Sequence, residues 1–273
     1  MRVYTLIENT EGTDLCRTEH GLSLYFETEH HKILMDTGAS ETFLGNARLL
    51  GVKLEEVDIC VLSHGHYDHA GGLKGFVCVN PKVPIYMSHL AGKEYYHNSA
   101  TEQRYIGIDK HILRLPQIHY LSEDEKIDEE LSIFSNVTGR RLWPQGNKVL
   151  FEKKDEGFVQ DEFLHEQYLV IKEQGKQVLV SGCAHNGVLN ILDRYHEIYG
   201  NYPDIVISGF HMKKKTPYTD QEIQVIKETA EELKDLPTVF YTGHCTGEEP
   251  YAIMKEIMGD KIHYIHCGDI LEL

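Results

Sequence analysis

The chain has 273 residues, enough for a sizeable core in one or two domains, and its 41% hydrophobic and 26% charged content is that of an ordinary globular protein. A formal net charge of −16 argues against nucleic acid as the main partner, because phosphate backbones are bound by clustered Lys and Arg. Met1–Glu8 lacks the apolar stretch of a signal peptide and no run is long enough to span a bilayer, so a cytoplasmic location without a membrane partner is expected.

In chain order, Val3–Ile7, Leu22–Glu27 and Lys32–Asp36 read as strands, the last two joined by the hairpin-length connection Thr28–His31. Ser40 is the expected cap of a helix carrying Phe43, Leu44, Ala47 and Leu50. Ile59-Cys60-Val61-Leu62 reads as a buried strand, and 83–87 as the next. From about 90 to 166 the chain is rich in Tyr and His and longer than an ordinary loop. Two readings stay open for it: a lid that supplies substrate contacts, or an insertion that packs on the body or forms a dimer interface.

The second half alternates strand and helix. Tyr168–Lys172 and Gln177–Val180 flank a hairpin turn at Glu173-Gln174-Gly175-Lys176. Val188, Leu189, Ile191, Leu192 and Tyr195 mark an amphipathic helix, and Asp204–Ser208 a strand. Thr219-Asp220-Gln221-Glu222 is a capping box, in which hydroxyl and carboxylate satisfy early helix N–H groups. Ile223, Ile226, Ala230 and Leu233 continue that helix until Pro237 closes it. Thr238–Thr242 is a strand, Pro250 starts a helix, and Ile262–Ile265 is the last strand. The whole reads as one α/β domain over 1–273, with two packed sheets and helices outside.

The chemistry concentrates in His64-Gly65-His66-Tyr67-Asp68-His69, three imidazoles and a carboxylate directly after an apolar strand, with Gly71-Gly72 behind them. A turn needs Gly, Asn or Asp rather than three histidines, whereas zinc, manganese and iron need imidazole and carboxylate. Alternate spacing lets His64 and His66 face one metal and Asp68 and His69 a second. Three further strand ends combine Gly with His: Ser181–Gly187, Ser208–His211 and Thr242–Gly247. Strand ends are where open α/β sheets gather ligands. The six cysteines form no C-x-x-C pair, which argues against a disulfide framework, a zinc ribbon or an iron–sulfur motif.

With these residues the chain resembles the metallo-β-lactamase fold superfamily, whose H-x-H-x-D-H signature it carries at His64, His66, Asp68 and His69. It is more closely similar to the 7,8-dihydropterin-6-methyl-4-(β-D-ribofuranosyl)aminobenzene-5′-phosphate synthase-like branch. The matching segments are Glu19–Ser23, Leu62–Leu73, Gly182–His185, Gly209–His211 and His244–Gly247. The resemblance implies a four-layer αβ/βα sandwich holding two divalent ions, with zinc first and manganese or iron as alternatives. It implies His64 and His66 for the first site, and Asp68, His69 and His244 for the second. Cys183 stands where the superfamily often has a bridging aspartate; a thiolate ligates zinc, and a small buried packing residue is the plainer alternative. His185 is the expected third histidine of the first site, with His165 as its rival, and His266 rivals His244. Asp36 is expected to support the ligands rather than join them. His20 and His211 are candidates for substrate contact, each readable also as a structural histidine.

The function expected on this basis is hydrolysis by a metal-bound hydroxide, with Asp68 and His211 as the catalytic pair. The resemblance points to a phosphodiester or a pterin- or ribosyl-phosphate-like small molecule. Lactone or β-lactam hydrolysis is the alternative within that chemistry. A di-iron redox protein and a non-catalytic metal-binding module are alternatives of another class. Redox members place Glu where this chain has His66 and carry a flavin domain, and a structural zinc needs only four closed ligands. A homo-oligomer is left open.

Overall fold

The computed structural model describes residues 1–273. Two seven-stranded sheets carry it. The first runs Ile270–Glu272, Arg2–Ile7, Ser23–Glu27, Lys32–Met35, Ile59–Val61, Ile85–Ser88, Ile118–Leu121 in spatial order. The second runs Ile262–Tyr264, Val239–Thr242, Ile205–Ile207, Lys176–Val180, Tyr168–Glu173, Leu131–Phe134, Glu125–Lys126. Their central strands are apolar on both faces because both faces are covered. Val3, Phe26, Ile33 and Val61 of one sheet meet Leu131, Ile171, Val180 and Ile207 of the other in a single buried cluster. Behind the first sheet, Leu34, Cys60 and Ile85 pack on Phe43 and Ala47 of the helix Thr42–Leu49 and on Phe76 of the helix Leu73–Val79. Behind the second, Val170, Leu179, Val206 and Phe240 pack on the helices Val188–Tyr199, Asp220–Lys234 and Glu248–Met258. Each fully buried Leu, Val, Ile or Phe contributes about 1.5–3 kcal/mol. The result is the expected αβ/βα sandwich. No helix is long and apolar enough to cross a membrane.

Local chemistry sets the boundaries. Gln174 and Gly175 both take positive φ, 50° and 79°, the two-residue turn that matches strand twist. The capping box forms as expected, with Thr219 accepting from the Glu222 amide and Glu222 reaching back. The cap position falls on Glu41, which makes no side-chain bond, one residue after the expected Ser40; the Ser40 hydroxyl donates to Glu19 at 2.6 Å and still accepts from the Thr42 amide at 3.2 Å. The helix expected from Pro250 starts at Glu248, since Gly247 at φ 79° already turns the chain there.

The stretch from about 90 to 166 is not one insertion. Ile118–Leu121 extends the first sheet and Leu131–Phe134 with Glu125–Lys126 edges the second, because Leu131, Ile133 and Phe134 have apolar area to bury. The remainder forms a four-stranded sheet ordered Gly157–Gln160, Leu150–Lys154, Tyr95–Asn98, Gln103–Tyr105, packed on Tyr95, Ile106, Leu150 and Phe163.

Both main sheets contain parallel runs, Lys32–Met35 through Ile85–Ser88 in one and Lys176–Val180 through Ile262–Tyr264 in the other. The carboxyl ends of these strands deliver Asp36, the histidine turn and the loops bearing Cys183, His185, His211 and His244.

Candidate metal centre

Four histidines at these strand ends are each held by Nδ1. The His69 Nδ1 donates to Asp36 Oδ2 at 2.6 Å. Ser63 gives its only hydroxyl proton to Asp36 at 2.6 Å, so its oxygen can only accept from His64 Nδ1, 2.8 Å away. Asn147 and Asn9 do the same for the later rings. Asn147 Oδ1 lies 3.1 Å from His185 Nδ1 while its amide donates to the His185 carbonyl at 2.7 Å. Asn9 Oδ1 lies 3.0 Å from His244 Nδ1 while its amide donates to the His244 carbonyl at 2.9 Å. In each case Nδ1 carries a proton and Nε2 is the atom left toward the centre. That is the arrangement of imidazoles oriented for a metal.

The free nitrogens converge. Ligand atoms of His64, Cys183 and His185 lie within 4.8 Å of one another, as do those of His69, Cys183 and His244. Cys183 belongs to both groups and is buried. His64 Nε2 is 3.0 Å from His66 Nδ1, and His69 Nε2 is 3.2 Å from Cys183 Sγ. Two ligands on one tetrahedral zinc, bound at about 2.0–2.3 Å, stand about 3.3–3.6 Å apart. The observed spacings are close to that. Asp68 Oδ2 lies 3.5 Å from His244 Nε2 and 4.0 Å from His69 Nε2. The ring atoms His185 Nε2 and His244 Nε2 are buried without any partner, a cost that a cation on them would offset. The donor set therefore fits divalent metal ions.

The electrostatics agree. Burial, followed by neighbouring imidazoles, pulls His64 and His185 well below the ordinary histidine range and His66 to about 3, so all three are neutral, the ligand form. His69 differs: burial works against its charge, yet Asp36 and Asp68 outweigh it and raise its pKa to about 9, so it is an imidazolium until a cation displaces its Nε2 proton. Burial likewise opposes the Asp68 carboxylate, and His69, His244 and His20 hold it ionised far below the usual range. Burial pushes the Cys183 thiol well up, so it needs a cation to become a thiolate.

The backbone is strained at the same place. Asp36, Ala184, His211 and His244 have φ of 60°, 51°, 49° and 51°, costly for residues with a Cβ. Buried carboxylates hold these turns: Glu8 accepts from the His244 amide, and Glu166 from the amides of His185 and Asn186 at 2.7 and 2.9 Å.

The structure brings together His64, His66, Asp68, His69, Cys183, His185 and His244. Asp36 stands behind them, its carboxylate occupied by Ser63 N, Ser63 Oγ and His69 Nδ1. His20 is at the opening, its side chain 58% exposed and 3.3 Å from Asp68 Oδ2. The His211 ring lies 4.1 Å from that of His185, with Nδ1 unpartnered. His266 is turned away onto Thr10 at 2.7 Å. His165 has both nitrogens engaged, with Gly65 N and Asp161. Sequence reading missed Glu8, Asn9, Asn147, Asp161, Glu166 and Cys245, whose sulfur accepts from His211 N at 3.2 Å. Glu8-Asn9 follows a strand as the recognised clusters do, and that signal could have found it; Asn147 lies in an irregular segment without one.

Two clusters of imidazole, carboxylate and thiol on the joined edges of an αβ/βα sandwich describe a metallohydrolase-like centre. The chain belongs to the metallo-beta-lactamase superfamily, whose model matches residues 17–244. Among characterised structures it is similar to a metal-dependent hydrolase of the beta-lactamase superfamily, at 30% identity and a TM-score of 0.82, over 100% of this chain and 99% of the other. It is also 29% identical to the 7,8-dihydropterin-6-methyl-4-(beta-D-ribofuranosyl)-aminobenzene-5'-phosphate synthase of Methanocaldococcus jannaschii, over 100% of this chain and 96% of the relative. An uncharacterized protein of the same organism matches at 29% identity over 97% and 98%.

Proposed function

We propose that this protein hydrolyses a phosphoester of a small molecule, preferably a diester or cyclic phosphate, at a pair of divalent ions. His64, His66, His185 and Cys183 would hold the first ion, and Asp68, His69, His244 and Cys183 the second. The observation that carries the reading is the shared orientation of His64, His69, His185 and His244, each donating from Nδ1 to a dedicated acceptor and turning Nε2 toward the centre. When bound, such a pair supplies Lewis acidity, polarising a phosphoryl group and bringing the pKa of a water toward ~7.

The chain's own groups do the rest. Asp68 completes the second site. His211, unpartnered at Nδ1 beside His185, holds a proton for the leaving oxygen. His20 and the exposed Lys213, whose charge reaches His20, bind the phosphate at the opening. Lys214 serves the helix instead, paired with Glu222 at 2.7 Å. The segment carrying Gly146 and Asn147 walls the site, since a Cβ on Gly146 would stand 3.0 Å from His211 Nε2. The phosphate preference draws on the full-length relative named for a ribofuranosyl phosphate product.

The test is metal removal by chelator, reloading with zinc, manganese or iron, and a hydrolysis screen over phosphodiesters, cyclic nucleotides, phosphomonoesters, lactones and β-lactams. Metal-dependent phosphodiester turnover with about two ions per chain is expected. Faster lactone or β-lactam turnover overturns the substrate class, and reduction of oxygen without hydrolysis overturns the reaction.

A further inference from the structure

His66 departs from the rule followed by the other ligand-type histidines. Its Nδ1, not Nε2, faces the centre, 3.0 Å from His64 Nε2, and its Nε2 is buried without a partner. Behind it lie His165 and Asp161, both buried. Ligand-type atoms of His66, His165 and Asp161 lie within 4.8 Å of one another. His165 has no lone pair to give. Its Nδ1 accepts from Gly65 N at 2.9 Å, so its proton is on Nε2, which donates to Asp161 Oδ2 at 3.2 Å. The other Asp161 oxygen accepts from Phe163 N at 2.7 Å. Asp161 Oδ2, which accepts one proton from His165 and has lone-pair capacity for another, therefore belongs to the same small buried group as His66, whose Nε2 makes no hydrogen bond.

We propose that Asp161 is a positioning residue: its Oδ2 takes the Nε2 proton of His66 alongside that of His165, fixing the tautomer whose Nδ1 lone pair faces the first metal site. This rests on the dinuclear reading above. It also gives His165 a role other than ligand. The ring clamps the turn at Gly65 and spaces the carboxylate from His66. Gly65 itself must lack a side chain, since a Cβ there would lie 2.4 Å from the Ala91 carbonyl oxygen.

Asp161→Asn tests the idea with little change in shape. Its amide keeps one oxygen for Phe163 N and presents N–H where Oδ2 accepted, so donor meets donor and His66 moves its proton to Nδ1. First-site affinity then falls about 10–100-fold, as for other outer partners of metal histidines. The second site, built on Asp68, His69 and His244, keeps its affinity. Cobalt(II) titration followed by the visible spectrum and by elemental analysis separates the two ions. A folded Asp161→Asn protein with unchanged affinity at both sites overturns the proposal, as does a third ion bound through His66, His165 and Asp161. The wild-type protein gives a second readout that does not depend on the variant folding. Long-range proton–nitrogen NMR of the zinc-loaded chain should find His66 protonated at Nε2, and a proton on Nδ1 overturns the proposal. A wild-type chain that binds no divalent ion sinks the dinuclear reading instead, while the metal-free spectrum still reports the His66 tautomer.

Discussion

Replacing Asp36 by Asn should cost both stability and metal affinity, and the two losses can be measured apart. The Asp36 carboxylate is 1% exposed and accepts from Ser63 N at 2.7 Å, Ser63 Oγ at 2.6 Å and His69 Nδ1 at 2.6 Å. Hydrogen bonds to a charged group contribute about 1.5–3 kcal/mol each. Asn retains one oxygen, which keeps the Ser63 amide, and turns N–H toward the two remaining donors. Losing two bonds amounts to about 3–6 kcal/mol, and rotation of the Ser63 hydroxyl with a tautomer change at His69 brings it to the lower end. About 3 kcal/mol is a large share of the 5–15 kcal/mol that holds a domain folded. Urea unfolding of the metal-free proteins measures it, and zinc competition against a chelator should show the His69 site weakened about 10–100-fold. The pH dependence gives a further signature. The folded His69 pKa of about 9 lies above its unfolded value, so its stabilisation is complete below the unfolded pKa of about 6.5 and is lost as pH rises through 9. For metal-free wild type that loss is about 3 kcal/mol. It should shrink in Asp36→Asn, which lacks the largest charge raising His69. A variant within about 0.5 kcal/mol of wild type, with unchanged zinc affinity, would refute the reasoning.

Other substitutions separate ligands from substrate groups. Cys183→Ser should lower metal occupancy and Cys183→Asp should partly restore it; full occupancy and activity in Cys183→Ala would make the thiol a packing residue. Asp68→Ala should keep the fold but drop to one tightly bound ion and lose turnover by about 100-fold or more, read by elemental analysis and steady-state rates. His211→Ala should keep both ions and lower kcat by about 100-fold, as loss of a proton donor does; loss of an ion would reassign it as a ligand. Dialysis against chelator should abolish activity and lower the melting temperature, and zinc should restore both.

The fold was legible because its strands and helices are locally consistent. The hairpin at Gln174-Gly175 and the capping box at Thr219–Glu222 are decided by backbone conformation and nearby hydrogen bonds, which short sequence windows carry. The histidine turn was legible for a chemical reason, since nothing else accounts for three imidazoles in six residues. Its supports were not. Asn9 reaches His244 across 235 positions and Asn147 reaches His185 across 38, and an isolated Asn in sequence carries no mark of its partner. The middle stretch failed for a different reason. Ile118–Leu121 is an edge strand and Leu131–Phe134 lies one strand in from the edge Glu125–Lys126; each has four residues, and four residues cannot establish a period. Ser40 was displaced by one residue from the cap position, yet its oxygen accepts from the first helical amide, Thr42 N, while its proton goes to Glu19, twenty-one residues earlier.

The choice between a hydrolytic, a redox and a purely structural centre turns on how the ligands are distributed. A structural zinc is closed by four protein ligands, and nothing would be gained by keeping one side of it open. Here the centre opens to solvent at His20, whose side chain is 58% exposed, while the rings behind it are almost wholly buried. The opening is flanked by His211 with a free ring nitrogen and by Lys213, groups that a closed site would not need. In the proposed arrangement the first ion would take three neutral imidazoles, His64, His66 and His185, with the shared Cys183, and the second would take Cys183 with Asp68, His69 and His244. The carboxylate is thus confined to the second site, and the first would keep more of its ion's positive charge for a phosphoryl oxygen than a site with a carboxylate in place of His66. On that reading, replacing His66 by Glu should weaken hydrolysis while leaving two ions bound.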